Sequence, residues 1–398
     1  MRREAMLGLA AVGLAAVALA GQRAPSDYRW DLPPGVPPPR LPVGAPMTEA
    51  RVELGRHLFY DTRLSGNGEQ SCATCHIQAL AFTDGRARGL GSTGERHPRS
   101  AMSLVNVAYR DALTWANPTL RSLEEQVLVP LFGTDPVELG LSGHEPRVYA
   151  ALAASPVYRR LFVAAFPPPA PADGVERLVT TDNVALALAA FQRSIVSFRS
   201  PYDRYRFHDD ETALSPAARR GMRLFFSGRA RCGGCHLGHT VSTDLGLNLD
   251  GGSKAATSPL GDPPVFLFHN TGLYNLPGRM PYPADNTGKY AHTGKLEDAG
   301  RFRIPTLRNV AVTAPYMHNG IFANLRTAVA FYNKFNTTAP SAQINPETGE
   351  PWGPTEFEAT ISLEELTHGP ALEEKRIDAL VAVLKTLTDA RYEHLLED

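Results

Sequence analysis

Apolar residues recur at helical spacing shortly after residue 47, in the stretch TEARVELGRHLFYDTRLSGNGEQ. Leu54, Leu58 and Phe59 fall on one face of a helix with 3.6 residues per turn, and polar residues occupy the other positions. The glycines and polar residues that follow indicate a loop. This pattern predicts an amphipathic helix that packs one face against a core and then leads into a loop.

A second stretch, SPAARRGMRLFFSGRA, shows the same organisation. Ser215 and Pro216 suit the N-cap and the first position of a helix, and Met222, Leu224 and Phe225 supply its apolar residues. The segments GRHLF, from Gly55, and GMRLF, from Gly221, match position by position. Two unrelated amphipathic helices could agree by chance, but both segments precede the same cysteine motif. We therefore predict two related modules.

The rest of the chain is also predominantly helical in pattern. Residues 180–198 predict a buried helix with apolar residues on more than one face, and LRTAVAFYNKF and EEKRIDALVAVLKTL predict two more. Residues 166–174 read as a loop, and residues 237–300, rich in Gly, Pro and Asn, as irregular structure with short strands or turns. The fold class is mostly α with little β. A polar stretch at 199–214 places the boundary between an N-terminal domain (47–205) and a C-terminal domain (206–398).

Composition and charge indicate the cellular compartment and limit the classes of binding partner. Residues 1–20 combine Arg2 and Arg3 with a short apolar run that ends in Ala-Leu-Ala, as in a cleaved secretory signal; the alternative is an uncleaved anchor. Residues 21–46 form a Pro-rich, extended lead-in. A formal net charge of -1 gives no support to nucleic-acid binding. We expect a periplasmic protein that is soluble after signal cleavage, as a monomer or a homodimer.

All four cysteines fall in two C-x-x-C-H motifs, CATCH at 72–76 and CGGCH at 232–236. One such motif alone could be a redox dithiol or half of a zinc site. Two of them in an exported chain with no cysteine left over indicate covalent c-type haem. In this reading Cys72, Cys75, Cys232 and Cys235 bind two haem groups, and His76 and His236 are the proximal iron ligands.

Three further blocks resemble the bacterial di-haem cytochrome c peroxidases and their relative MauG. They are CHIQALAFTDGRARGLG, LVNVAYRDALTWANPTLRSLEEQVLVPLFGTDPVELG and FRIPTLRNVAVTAPYMHNGIFANLRTAVAFY. The resemblance runs from about residue 47 to the C-terminus and is broken mainly between 200 and 300. It implies two c-type cytochrome-like domains and an enzyme that acts on hydrogen peroxide.

The second block implies the residues of the peroxide pocket. Glu138 matches a distal glutamate that can take a proton from one peroxide oxygen and deliver one to the other. Gln126 and Pro130 match further residues of that pocket, where an amide can hold peroxide or water. Trp115 matches an electron relay between the haems, although one extra residue separates it from Gln126. Without the resemblance, Glu138 would be read as a surface residue and Trp115 as a core anchor.

The third block concerns the second iron. Met280 and Met317 are candidates for its sixth ligand by residue type. The family's ligand position, however, lies fourteen residues beyond His318 and is Tyr332 here. MauG has tyrosine at this position, and the classical peroxidases have methionine. The alternative is an ordinary buried tyrosine on an amphipathic helix. A phenolate would favour ferric iron and lower the reduction potential relative to methionine.

Classical members hold a histidine over the first iron, and the expected position, near Ser92, has none. His97 is close in sequence, so an open first iron and a ligand from His97 both remain possible readings. The family also carries calcium between the haems. Ser100, Thr313 and Pro315 match positions of that calcium site, with Ser100 in place of the expected asparagine.

These features predict a di-haem peroxidase that reduces hydrogen peroxide with electrons from a small periplasmic cytochrome c or copper protein. Two alternatives stay open. One is MauG-like, peroxide-dependent oxidation of tyrosine or tryptophan side chains in a partner protein. The other is a di-haem electron carrier without peroxide chemistry, which would need two six-coordinate irons.

Overall fold

A computed structural model describes residues 28–167, 174–236, 268–275, 286–367 and 370–396. The predicted signal segment and Met280 lie outside these residues, as does most of the predicted irregular stretch from 237 to 300. Residues 28–46, which the composition predicts to be extended, contain no helix. None of the helices in the described part of the chain is both long and apolar enough to cross a bilayer.

The described residues are mostly helical, as the hydrophobic pattern predicts. The helices are α1 (Glu49–Phe59), α2 (Cys72–Cys75), α3 (Leu123–Gln126), α4 (Leu128–Phe132), α5 (Glu145–Ala154), α6 (Pro156–Ala165), α7 (Thr181–Ser194), α8 (Pro201–Phe207), α9 (Pro216–Phe225), α10 (Cys232–Cys235), α11 (Tyr290–Thr293), α12 (Leu325–Phe331), α13 (Leu363–Leu366) and α14 (Glu374–Lys385). Two short antiparallel strands, β1 (Phe268–His269) and β2 (Phe302–Arg303), pair with each other.

The first apolar core forms where α1 packs against α6 and α7. Thr48 begins α1, and its hydroxyl accepts a hydrogen bond from the N–H of Arg51. Leu54 and Leu58 are completely buried, and Phe59 is nearly so. The predicted amphipathic helix is therefore present, and its apolar face supports the loop that carries the first cysteine motif.

The second core forms where α9 packs against α14, with α12 beside them. Ser215 caps α9 by accepting a hydrogen bond from the N–H of Ala218, and Pro216 occupies the first turn, as predicted. Phe225 is buried at the end of the helix. The second cysteine motif thus follows a helix supported in the same way as the first.

A matched glycine contact relates the two modules. A Cβ atom placed on Gly55 would lie 1.9 Å from the carbonyl oxygen of Ala187, and one on Gly221 would lie 1.8 Å from that of Ala379. In each pair the glycine lies on the helix before the motif and the alanine on a longer helix that crosses it. Only glycine allows backbones to approach so closely. The structure therefore bears out the sequence match between the modules.

A buried polar cluster joins the modules. Ser197 exchanges two hydrogen bonds with the side chain of Asn106, of 2.8 and 3.0 Å. The Ser197 hydroxyl also donates to Asp389 (3.1 Å) and accepts from Asn309 (3.1 Å). All four residues are at most 1% exposed. Because buried polar groups are costly to separate, this cluster holds the two halves in one arrangement.

The polar stretch at 199–214, where the sequence places the domain boundary, contains α8. Ser200 caps this helix, and Asp203 in its first turn forms an ion pair of 2.6 Å with Arg308. Both side chains are at most 1% exposed. A partner 105 positions away along the chain cannot be read from local periodicity. The division at 205/206 lies within the residues of α8 and stays a prediction.

Candidate functional site

The first cysteine motif forms one helical turn, α2, which presents its cysteines toward the interior. The Ser71 N–H donates to the Thr74 hydroxyl oxygen at 3.0 Å and so steadies the start of the turn. Cys72 and Cys75 form no disulfide. Burial raises the pKa of Cys72 to about 12 and that of Cys75 to about 11. Both cysteine side chains therefore lie in a desolvated environment.

The imidazole of His76 is oriented by the backbone. Its Nδ1 lies 3.0 Å from the carbonyl oxygen of Phe82. Ala81 and Phe82 both have positive φ angles, of 52° and 61°, which turn the chain back toward the histidine. Burial lowers the pKa of His76 and favours the neutral ring. A neutral imidazole held through Nδ1 directs Nε2 outward, as a proximal iron ligand requires.

The second motif, α10, is packed more tightly. A Cβ on Gly233 would come within 2.6 Å of the Phe226 ring, so this position needs glycine. Burial raises the pKa of Cys232 to about 12 and that of Cys235 to about 11. His236 follows, with its N–H bonded to the Cys232 carbonyl oxygen at 2.9 Å. The two motifs thus adopt the same one-turn geometry.

A cavity of about 310 Å³ opens beside the second motif. It is lined by both cysteines, His236 and Tyr332, and mainly by apolar side chains elsewhere, among them Leu325 and Leu384. Burial raises the pKa of Tyr332, and the nearby Cys235 and Cys232 raise it further. A mainly apolar cavity lined by two thiols, an imidazole and a phenol fits a covalently bound haem. The structure thus brings Tyr332 into the same cavity as His236; Met317 also lines that cavity.

Glu138 lies close to the first motif although it is more than sixty residues away along the chain. Its charge acts on both Cys72 and Cys75. The carbonyl oxygen of Glu138 accepts a 2.7 Å hydrogen bond from the N–H of Ser92. Burial raises the pKa of Glu138 to about 7, and the nearby Arg99 opposes that rise. A carboxyl group with this pKa can both accept and donate a proton near neutrality.

Pro130 and Gln126 lie on the segment that leads to Glu138. The carbonyl oxygen of Pro130 accepts a 2.8 Å hydrogen bond from the N–H of Leu139, directly after the glutamate. Gln126 ends α3, one turn before Pro130 on α4, and is partly exposed. The structure therefore places Pro130 against the glutamate loop and Gln126 on the adjoining helical turn.

Trp115 lies along the wall of the cavity, between the two modules. Its indole N–H donates a 2.9 Å hydrogen bond to the Ser100 carbonyl oxygen, and its own carbonyl oxygen accepts one of 2.8 Å from the N–H of Arg303. Its ring meets that of His318 edge-on at 6.3 Å. Trp115 is thus fixed between a segment of the first module and a strand of the second.

His97 and Ser92 belong to the loop that covers the glutamate. His97 packs against Gly89 and Gly91. At Gly91 a Cβ would lie 1.9 Å from the Val137 carbonyl oxygen and 3.2 Å from Nε2 of His97, so the two segments touch there. Burial lowers the pKa of His97. The imidazole is therefore neutral and seated beside the residue that precedes Glu138.

The three residues of the expected calcium site lie together on the cavity wall. Ser100, Thr313 and Pro315 all line it. The Ser100 carbonyl oxygen accepts from the indole of Trp115, and the Ser100 hydroxyl donates to the Met317 carbonyl oxygen at 3.3 Å. No cluster of three His, Cys, Asp or Glu side chains suited to a metal occurs in the described part of the chain. Any cation here would depend on backbone and hydroxyl oxygens.

Two residues that contribute to the site, Arg99 and Phe82, were not predicted from the sequence. Arg99 acts on Glu138 and on His318, which burial and this guanidinium hold at a pKa of about 3. Nothing in the local sequence distinguishes Arg99 among the 40 basic residues. Phe82 contributes its carbonyl oxygen, which no side-chain pattern reveals. A proline after His97 in GERHPRSAM was the only local hint that this segment is held in a fixed conformation.

The chain is similar in sequence to proteins of one family. The family model "Di-haem cytochrome c peroxidase" matches residues 49–212. The methylamine utilization protein MauG of Paracoccus denitrificans (strain Pd 1222) is 38% identical over 89% of the chain and 92% of its own length. Cytochrome-c peroxidase IdrP1 of Denitromonas iodatirespirans is 36% identical over 88% of the chain and 89% of its own length.

Solved structures agree with these similarities. A crystal structure of a MauG-like protein associated with microbial copper homeostasis superposes with a TM-score of 0.75 at 40% identity, covering 92% of this chain and 98% of its own. The di-haem peroxidase BthA from Burkholderia thailandensis E264 superposes with a TM-score of 0.65 at 25% identity, covering 94% and 98%. The predicted mostly helical, two-haem fold is therefore confirmed at the level of the family.

Proposed function

The chain belongs to the di-haem cytochrome c peroxidase family, and from that premise we propose that it reduces hydrogen peroxide with electrons from a small redox protein. One peroxide takes up two electrons and two protons and yields two water molecules. The observation that carries this proposal is Glu138, a carboxyl group with a pKa of about 7 beside Cys72 and Cys75.

Two covalently bound haem groups supply the redox chemistry and the open coordination position at which peroxide reacts. Cys72 and Cys75 hold the first and His76 binds its iron; Cys232, Cys235 and His236 do the same for the second. In this proposal the protein contributes the proton transfers, the orientation of the ligands and the path between the two sites.

At the first site Glu138 acts as the general base and then as the general acid. Its carboxylate takes the proton from the peroxide oxygen that stays, and its carboxyl group returns a proton to the oxygen that leaves as water. The amide of Gln126 holds peroxide by a hydrogen bond, and Pro130 shapes the wall beside the glutamate loop. Arg99 favours the ionised form of Glu138 because its positive charge opposes the effect of burial.

At the second site Tyr332 would serve as the sixth ligand of the iron that His236 binds. Tyr332 lines the same cavity as His236, and a phenolate there would stabilise the oxidised iron. Trp115, fixed by Ser100 and Arg303, would carry electrons between the sites. His97 packs against Gly89 and Gly91, so in this proposal it does not act as the sixth ligand of the first iron.

Tyr332 also favours a second candidate function, MauG-like oxidation of tyrosine or tryptophan side chains in a partner protein. A site that stabilises oxidised iron is poorly suited to take electrons from an ordinary cytochrome but well suited to hold oxidising equivalents. The 38% identity to a MauG protein is compatible with this candidate. The two functions differ in the reductant, and a panel of reduced cytochromes, copper proteins and Tyr- or Trp-containing proteins distinguishes them.

The proposal has three further parts: the compartment, a calcium ion and the oligomeric state. The composition of residues 1–20 suggests export to the periplasm. Ser100, Thr313 and Pro315 could hold one calcium ion through oxygen atoms at the cavity wall. The chain is expected to act as a monomer or a homodimer.

The deciding experiment is the absorption spectrum of the ferric holoprotein before and after addition of peroxide. A high-spin component that changes on adding peroxide supports the proposal, and Glu138→Gln should slow that change by about 10²- to 10⁴-fold. Two low-spin haems that do not respond, before or after partial reduction, would instead identify an electron carrier. Glu69→Gln removes an exposed carboxylate elsewhere in the first module and serves as the charge control.

A further inference from the structure

Aromatic side chains connect the second cavity to the protein surface through Tyr332. The ring of Tyr332 lies 5.7 Å from that of Phe331, which is completely buried. Phe331 in turn lies 5.4 Å from the ring of Trp352, at an interplanar angle of 86°. The ring of Phe322 contacts both of these rings, at 5.6 Å from Trp352 and 5.4 Å from Phe331. Rings thus touch without a break from Tyr332 to Trp352.

Trp352 is the member of this chain of rings that can take part in electron exchange with a partner. It is partly exposed and follows a run of exposed residues, 346–351. Its indole N–H donates a 2.8 Å hydrogen bond to the carbonyl oxygen of Ala342. Indole loses an electron more readily than a benzene ring and need not lose its proton to do so.

The groups around these rings suit Phe331 as an intermediate that is not itself oxidised and Trp352 as the ring that loses the electron. The Lys334 ammonium lies 4.2 Å from the centre of the Phe331 ring, so positive charge on that ring is disfavoured and Phe331 can only bridge. Tyr274 also contacts Phe331, at 6.4 Å. Its hydroxyl oxygen, however, is a hydrogen-bond partner of the Asn345 amide N–H, and oxidation of a phenol requires a base to take its proton.

We propose that Trp352 is the surface terminal of an electron path that runs from the second haem site through Tyr332 and Phe331. One electron leaves the indole for the oxidised second site. The indole becomes a radical cation and keeps its proton on Nε1, which stays hydrogen-bonded to the Ala342 carbonyl oxygen. One electron from a partner protein then restores the indole. This inference rests on the proposed function, since peroxide is the oxidant that creates the electron demand.

The charge around Trp352 indicates the kind of partner. Residues 335–374 include eight glutamates and no lysine, arginine or aspartate. Glu347 and Glu350, which precede the tryptophan, are both exposed. A redox protein with a basic surface patch would be steered to this segment, and the steering would weaken as salt is added.

The first test traps the radical. Holoprotein that contains ring-deuterated tryptophan is mixed with peroxide in the absence of a donor, frozen, and studied by electron paramagnetic resonance. We expect a tryptophan radical whose hyperfine pattern changes on deuteration, which Trp352→Phe removes and Trp30→Phe retains. Trp30 is a matched control because it is also partly exposed and lies far along the chain. A signal unchanged in Trp352→Phe would overturn the proposal.

The second test measures how much Phe331 contributes to the rate of electron transfer. Phe331→Leu keeps an apolar side chain next to Tyr332 but removes the aromatic contact with Trp352. We expect oxidation of a reduced basic cytochrome to slow by at least about tenfold in both Trp352→Phe and Phe331→Leu, a change of about 1.4 kcal/mol in the barrier. Wild-type rates in either variant, with intact haem spectra, would exclude this path.

The same samples separate this inference from the proposed function. Loss of the peroxide response in the wild-type spectrum would mean that the proposed function fails, and the path would have no oxidant. A normal wild-type peroxide response, combined with a retained radical signal in Trp352→Phe, would mean that only the path fails. Mass spectrometry after peroxide treatment gives an independent readout. A terminal that is not reduced by a partner can lose a second electron to the peroxide-oxidised site and then bind water, which adds one oxygen to the peptide that contains Trp352 and releases two protons.

Discussion

The phenol of Tyr332 and the imidazole of His236 line one cavity, together with Cys232 and Cys235. The two residues are nearly one hundred positions apart and directly follow α12 and α10, so only the tertiary fold brings them together. In the proposed function this pair would bind the second iron and determine which of its oxidation states is favoured.

Replacing Tyr332 with Phe should raise the reduction potential of the second haem. The phenolate is an anionic oxygen donor that stabilises ferric iron, and its removal takes that stabilisation away. The potential is measured by spectroelectrochemical titration of the holoprotein, and the ferric spectrum should change from six- to five-coordinate. Tyr274→Phe is the matched control, because Tyr274 is buried in the same apolar cluster and its hydroxyl contacts Asn345. Equal potentials in the wild type and Tyr332→Phe would contradict the ligand assignment.

The reaction of the first haem with peroxide should accelerate as the pH rises through about 7. Burial raises the pKa of Glu138 to about 7, and only its ionised form, which predominates above that pH, can take the first proton. Stopped-flow rates across this range measure the midpoint. In Glu138→Gln the rate should be low and should not show this step. A midpoint that persists in the variant would assign the titration to another group.

The same raised pKa has the opposite effect on stability. The folded protein binds the Glu138 proton more tightly than the unfolded chain does, so this contribution is present below pH 4.5 and is lost as the pH rises to about 7. Glu138→Gln should therefore gain stability relative to the wild type across that interval. Denaturant midpoints of both proteins at several pH values measure the difference, and a constant difference would contradict the raised pKa.

Gly55→Ala and Gly221→Ala should each destabilise the protein by about 1–3 kcal/mol or more, because a methyl group would collide with a helix backbone. The Cβ would lie 1.9 Å or less from a carbonyl oxygen in both cases. Gly228→Ala is the control, because its Cβ would meet nothing within 4 Å. Chemical denaturation measures all three variants. Similar losses at Gly55 and Gly221 are expected, and a neutral result at either would show that the helices can move apart.

Asp203→Asn should destabilise the protein by about 3–5 kcal/mol, because it leaves the buried charge of Arg308 without its partner. Asp378→Asn is the matched control, because it breaks an exposed ion pair of 3.0 Å with Arg326 and should change stability by less than about 1 kcal/mol. Thermal or denaturant unfolding compares the two. Similar small losses in both variants would show that the buried pair contributes little more than the exposed one.

The sequence predicts those parts of the site that are contiguous in the chain. Two thiols and a histidine within five residues are fixed by the chemistry of haem attachment, and both motifs adopt the expected turn. Glu138 and Tyr332 are different, because nothing in their immediate neighbourhood distinguishes them from other glutamates and tyrosines. They could be named only through a family resemblance, and their roles stay predictions.

What local patterns could not supply are contacts between distant segments and contributions from the backbone. The carbonyl oxygen of Phe82 orients His76 whatever side chain residue 82 carries. Arg99 reaches Glu138 only because the loop at 89–99 folds over the glutamate segment. The ion pair of Asp203, in the stretch at 199–214, is a further example, since it depends on Arg308 in a distant segment.

The junction at Ser197 has a consequence for electron transfer between the modules. Its backbone is bonded to Asn106 of the first module, and its hydroxyl to Asn309 and Asp389 of the second. Four hydrogen bonds from a single residue to three partners act as a rigid joint rather than a tether. The tunnelling distance between the two cofactors is therefore a fixed length of the molecule, and the rate of electron exchange between them should not depend on the viscosity of the solvent.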